Sequence, residues 1–284
     1  GIMTKKRFLS LGAGVQSSTL ALMIHKGEVP MVEAGLFADT GAEPEKVYEW
    51  LDWLKKTVSF PIYKVKIGSL YWHTLWFLNN MPFVDEGLSI PFFTKENTKR
   101  GVGMMRRRCT YNYKIVPVTT GIRNFLGVKK HKKINKQTDE KGIDLLLGIS
   151  YDEALRMKQN KNKYFNNLYP LVDLKMTRQN CIDWIKKNYN KIPPRSSCIF
   201  CPYHSNKEWL KIKENKNDWD KLVKFDRGLR DGKDWWGQGK RNIRNKNNLY
   251  LHYSCKPIEE VDFKTKEDNK LNLTDQCEEG YCGI

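Results

Sequence analysis

Residues 9–23, LSLGAGVQSSTLALM, hold the densest run of groups able to do chemistry. Gly12 and Gly14 interrupt a strand-like run and lead into a helical pattern. Such a junction makes an anion site, because the first N–H groups of a helix lack intrahelical partners and its dipole favours negative charge there. The glycines permit positive φ and a close approach by phosphate. Ser10, Ser17 and Ser18 offer hydroxyl donors, and Gln16 offers an amide donor that brings no negative charge. The second group is the thiols. Of the seven cysteines, Cys198 and Cys201 stand three apart in SSCIFCPYH, a spacing with which a tight turn can grip one metal. His204, three residues on, keeps zinc open beside an iron–sulfur cluster, and a redox dithiol or plain thiols are the other readings. Cys181 reads as a packed thiol in an amphipathic helix, and Cys255 as structural.

These residues need a frame, and the pattern supplies one. Strands are expected at 6–12, 31–38, 61–67 and 143–149, and helices at 16–27, 44–57, 111–126, 177–189 and 206–217. In the first helix Leu20, Met23 and Ile24 share a face. Asp39-Thr40-Gly41 is turn chemistry, and Thr177 is a helix cap. Strands alternating with helices predict an α/β fold, a parallel sheet of five-stranded type with helices on both faces. Residues 128–142 read as an exposed basic loop. A change of pattern near 175 divides the chain into a nucleotide-binding domain (3–175) and a Cys-bearing carboxy-terminal region (176–284) for metal or substrate.

Three phosphate-binding loops compete for residues 10–18. A Walker loop needs Gly-Lys-Ser/Thr, and no Lys is present. A dinucleotide fingerprint wants a third Gly where Ser17 stands, although Asp39 ends the next strand as that reading requires. The third is the pyrophosphatase loop, Ser-Gly-Gly-x-Asp-Ser, in a branch where Gln replaces Asp. Further elements follow in order: FADTGAEPEKVYEWLDWL (37–54), RRCTYNYKIVPV (107–118), LLLGISYDEALRMK (145–158), YPLVDLKMTRQNCIDWIKKN (169–188) and SSCIFCP (196–202). As a set over residues 8–204 these resemble the sulfonucleotide (PAPS/APS) reductase-like family of the PP-loop ATP pyrophosphatase, or adenine nucleotide alpha-hydrolase, superfamily. The YPLVDL segment resembles that family's Pro-Leu strand.

The resemblance implies that residues 10–18 hold ATP, APS or PAPS, with Mg2+ as an allowed companion. Asp39 and Gly148 would lie near the adenosine, and Lys114 and Arg156 would face phosphate or sulfate. It also implies a [4Fe–4S] cluster, with zinc as the alternative, on Cys109, Cys198, Cys201 and a tail thiol, Cys282. The family's cluster-bearing members have a Cys-Cys pair where this chain has Arg108-Cys109. Its reductases end in Glu-Cys-Gly, and GYCGI at 280–284 is similar. Cys277 could supply that fourth ligand instead, and the two roles compete for the tail thiols: with Cys282 taken as the ligand, Cys277 is the candidate nucleophile.

Lys and Arg number 50 against 32 acidic residues, a net charge of +18 that favours polyanionic partners. In 227–246, RGLRDGKDWWGQGKRNIRNK, basic side chains alternate with Trp235 and Trp236, which suits nucleic acid, while Asp231 and Asp234, with Asp226 just before them, suit an ordinary solvated loop. Charge, Arg108 and the absence of a terminal His favour ATP-driven adenylation of an acceptor, nucleic acid included, with sulfur then arriving from a donor protein and a metal centre relaying or activating it. PAPS or APS reduction is the alternative, and a metal-stapled nucleic-acid-binding protein the non-enzymatic one. No secretory signal or bilayer-length apolar run is seen, so a cytoplasmic, reducing setting and a homo-oligomer are expected.

Overall fold

The computed structural model describes residues 5–80, 88–95, 101–129, 132, 134, 142–231 and 249–264. At its centre is a five-stranded sheet, all parallel. Its strands are β1 (Lys6–Leu11), β2 (Ala34–Ala38), β3 (Ile62–Val65), β6 (Ile143–Leu147) and β7 (Phe165–Leu168), in the order β3-β2-β1-β6-β7. Alternate side chains leave opposite faces of a strand. Leu9, Leu11, Phe37 and Leu146 enter one core, whereas Phe8, Leu36, Leu145 and Leu147 enter another. Both faces are therefore apolar, and β6 (IDLLL) is buried throughout, as a central parallel strand must be.

Helices α1 (Val15–His25), α2 (Glu45–Thr57) and α6 (Arg178–Tyr189) cover the first face; α4 (Val116–Phe125) covers the second. The expected α/β sheet with helices on both faces is what the chain forms. One expectation for α1 is corrected. It buries every residue from Val15 to Ile24 rather than a single face, because α6 lies over the side that would otherwise meet water. Cys181 and Ile185 of α6 complete that core, so Cys181 is packed as expected.

Several elements escaped the sequence pattern. Helix α3 (Leu70–Asn80) follows β3, and a small antiparallel sheet joins β4 (Phe93–Lys95), β5 (Val102–Met104) and β8 (Leu249–Tyr250) in the order β5-β4-β8. Cys255 is buried beside Phe93 and Tyr250. The segment that resembled a Pro-Leu strand is instead a helical turn, α5 (Pro170–Asp173), and the strand β7 lies just before it. The single helix expected at 206–217 is two, α7 (Asn206–Glu214) and α8 (Lys216–Asp231), so the start of the 227–246 stretch is helical. The rest of that stretch lies outside the described residues, as does most of 128–142. Helices α3, α7 and α8 enclose a further core around Phe200, Trp209 and Phe225, with Phe200 and Phe225 stacked at 4.1 Å between centroids. No helix among the described residues is long and apolar enough to cross a membrane.

Candidate functional site

The chain leaves β1 to form β2 on one side and later returns to form β6 on the other. Loops after β1 and β6 therefore diverge at the carboxy ends of the strands. That is the switch point at which open parallel sheets leave a crevice for ligand.

The turn after β1 is fixed from within. Gly12 N–H donates to Ser17 Oγ at 3.1 Å, and Ser18 N–H donates to Gly14 O at 3.1 Å as the helix begins. The left-handed step falls on Ala13 (φ 57°), whereas Gly14 is extended (φ −91°, ψ −164°). Gly14 brings no side-chain cap, and the first turn of α1 carries no acidic residue. Both features leave the helix start suited to an anion from outside the helix.

The side chains after the turn do structural work. Ser18 Oγ accepts from the Trp50 indole at 2.8 Å, and Ser17 Oγ is taken by Gly12. Gln16 Nε2 donates to Ser150 Oγ at 3.3 Å and to Glu153 Oε2 at 3.0 Å. Gln16, Ser17 and Ser18 are all buried, so they brace the turn and leave its backbone and Ser10 to line the crevice. Gly148 closes it from β6: a Cβ there would stand 2.6 Å from Ser17 N and 2.7 Å from its Cα. The neighbour is backbone, which cannot swing away.

Lys114 comes from a π-turn (Tyr111–Ile115) ahead of α4 and enters the crevice wall with Ser10, Gly12, Glu43 and Ser196. Arg156 lies on the far side of the turn, at the end of a 3-10 segment (Tyr151–Arg156), and pairs with Glu153 at 2.6 Å. Glu153 thus joins Arg156 to Gln16. Asp39, at the end of β2, accepts from Gly41 N–H at 2.8 Å and Tyr48 OH at 2.7 Å. Burial first, and then that bond to Asp39, push the Tyr48 phenol far up, so it stays protonated and holds Asp39 in place.

Sequence reasoning missed Glu43 and Ser196. Glu43 is a buried carboxylate in the crevice wall, placed by the turn GAEP. Ser196 Oγ donates to Gly12 O, a tie across 184 residues that no local pattern signals.

No family model matches the chain, and no curated protein matches it. Among solved structures it is similar to phosphoadenylyl-sulfate (PAPS) reductase from Candida auris in a phosphate complex. That likeness has a TM-score of 0.40 at 14% identity, over 66% of this chain and 74% of that one.

The thiols gather beside the same crevice. Cys198 and Cys201 form a turn, with Cys201 N–H donating to Cys198 O at 3.0 Å. His204 Nε2–H donates to Cys198 O at 2.9 Å, which commits that nitrogen to the turn. The Cys198 thiol is pushed well up, by burial first and then by Glu43 and Cys109, against a smaller lowering by the Phe200 amide and Lys114. Cys109 follows β5 and donates its N–H to Ser89 O at 2.9 Å. Cys109, Cys198 and Lys114 are thus near enough to feel one another's charge. Yet among the described residues no three His, Cys, Asp or Glu side chains are grouped so as to hold a metal. Cys277 and Cys282 lie outside the described residues.

Proposed function

We propose that the chain binds an adenine nucleotide at the turn after β1 and uses it in sulfur chemistry. The observation that carries the reading is the turn after β1: Ser10 and Gly12 line a crevice whose wall holds Lys114 and Glu43, and α1 starts just beyond it with no side-chain cap, no acid in its first turn and Gly148 packed against Ser17. Backbone amides suit the pyrophosphate end of ATP, and Lys114 offsets charge that grows on it. Asp39, held by Tyr48, faces the adenosine side, and Arg156 meets the α-phosphate from beyond Glu153.

In this reading an oxygen of the acceptor, a nucleic acid, attacks the α-phosphorus. The bond to the bridging oxygen breaks and pyrophosphate leaves. A hydrosulfide from a donor protein then attacks the carbon that bears the new adenylate, and AMP departs with the oxygen. No step runs through a metal. The alternative is reduction of PAPS or APS: the Cys277 thiolate attacks the sulfonyl sulfur, AMP or adenosine bisphosphate leaves, and an external dithiol then frees sulfite from the adduct and is itself oxidised to a disulfide.

Incubation with ATP, APS and PAPS in turn tests the proposal. Pyrophosphate release in the presence of acceptor supports adenylation, sulfite release supports the alternative, and no binding of any of the three sinks both. Lys114→Gln is expected to weaken ATP binding by roughly tenfold, one charge-assisted contact, as read by calorimetry. Iron, sulfide and zinc content after anaerobic purification tests the thiol set Cys109, Cys198, Cys201 and Cys282 separately.

A further inference from the structure

A second concave surface lies along the outer rim of β7, away from the crevice. It is an open groove of about 650 Å³ formed by residues 157–169. Lys158, Lys161 and Lys163 line it, with four carboxamides and the ring of Tyr169, and no carboxylate lines it among the described residues. The acid beneath it, Asp144, is buried, accepts from Asn166 Nδ2 at 3.2 Å and is neutralised by Lys5 at 2.7 Å. Among the described residues, no acid in the lining offsets the charge of these three lysines.

The groove is also held in shape. Tyr169 OH donates to Lys158 O at 2.5 Å and accepts Lys158 N–H at 2.9 Å. Asn167 Nδ2 donates to Lys158 O at 2.9 Å, and Asn160 Nδ2 to Asn167 Oδ1 at 3.0 Å. Met157, which opens the groove, directly follows Arg156, and Arg156 is tied through Glu153 to Gln16 of the turn.

We infer that this groove holds a single-stranded nucleic-acid segment, the acceptor, and leads it toward the turn after β1. Lysines neutralise successive phosphates, the exposed Gln159 carboxamide hydrogen-bonds base edges, and the Tyr169 ring offers a face for stacking. The absence of a carboxylate from the lining favours a polyanion over a mixed-charge protein surface. The inference deepens the proposed function by naming the acceptor's track, but it stands on the groove's own chemistry.

The test measures binding of the full chain to short fluorescein-labelled single strands, DNA and RNA of one sequence, by anisotropy across a salt series. The triple variant K158Q/K161Q/K163Q is compared with K56Q/K186Q/K187Q, which removes the same charge from exposed positions on α2 and α6. The expected result is a loss of roughly tenfold or more in the first variant, with the salt slope shallower by about 2, and a small loss in the second. Equal losses in both variants, no binding by the unaltered chain, or lysine-dependent binding only to phosphatidylserine vesicles would overturn it. Which strand binds more tightly, DNA or RNA, identifies the acceptor's sugar. Calorimetry with ATP on the same groove variant keeps the two proposals apart. Retained ATP binding with lost strand binding supports the groove. Absent ATP binding in the unaltered chain counts against the nucleotide reading and leaves the strand result to stand.

Discussion

Gly148 ends the run of β6 where the chain passes the amino end of α1, and it has no room for even a methyl group. In Gly148→Ala the new Cβ would press on Ser17 N and Cα at under 3 Å, so β6 or the turn must move. Overpacking of this kind costs about 1–3 kcal/mol. The expected outcome is a folded variant with lowered thermal stability and ATP affinity reduced by more than its stability loss suggests, measured by calorimetry beside a melting curve. The glycine's place was legible in LLLGIS, but the reason was not, since Ser17 is 131 positions away in the chain. Gln16 and the two serines after it show the reverse. Their types were read as donors to phosphate, but not their partners within the fold: Ser17 and Ser18 accept from Gly12 N–H and the Trp50 indole, and Gln16 donates to Ser150 and Glu153. A hydroxyl's partner is set by whatever packs nearby, which spacing does not encode.

Elements with a local signal matched expectation closely. Helix α6 begins at Thr177, whose Oγ1 accepts Asn180 N–H at 3.2 Å while Asn180 Oδ1 accepts Thr177 N–H at 2.9 Å. Thr177→Ala is expected to cost about 1 kcal/mol, seen as a lower urea midpoint, because an orphan N–H loses its acceptor. Elements without such signals were missed. LYWHTLWFLNN (α3) is apolar nearly all round, and FNNL (β7) carries two asparagines that β-propensity disfavours. Helix α3 forms by burying Leu70, Tyr71, Leu75 and Leu78 in the core beside α8, and β7 by pairing with β6, with Phe165 as its buried residue. Past β8, His252 joins two distant elements. Its Nδ1 accepts Ser254 N–H at 3.2 Å, so Nε2 carries the proton and donates to Asn206 Oδ1 of α7 at 3.0 Å. Burial lowers its pKa from 6.5 to about 4. The unfolded chain therefore binds more protons between those values, and stability present above pH 6.5 is lost as the pH falls toward 4. Urea midpoints across that range should decline in the native chain and decline less in His252→Gln.

The whole molecule binds its two sequence regions at the crevice. Ser196 holds Gly12 O, Ile199 N–H donates to Ala42 O at 2.8 Å, and Lys221 Nζ donates to Gly41 O at 2.8 Å. Asp218 accepts Glu45 N–H at 3.2 Å at the start of α2. A fragment ending at residue 175 would also strip α6 from α1 and remove Cys181 and Ile185 from the core they share. It is expected to lack a cooperative thermal transition and to bind no nucleotide, whereas the full chain melts in one step; calorimetric scans of both would decide. The sequence by itself determined the alternation of strand and helix, the glycine turn after β1 and the capped start of α6. Each of these depends on residues within a few positions of one another. Only the tertiary structure decided that α1 is buried on every side, that Glu43 and Ser196 share the crevice with Lys114, and that a lysine groove runs along the edge strand. Those outcomes depend on which distant surfaces meet, and the free energy of burying them belongs to the folded whole.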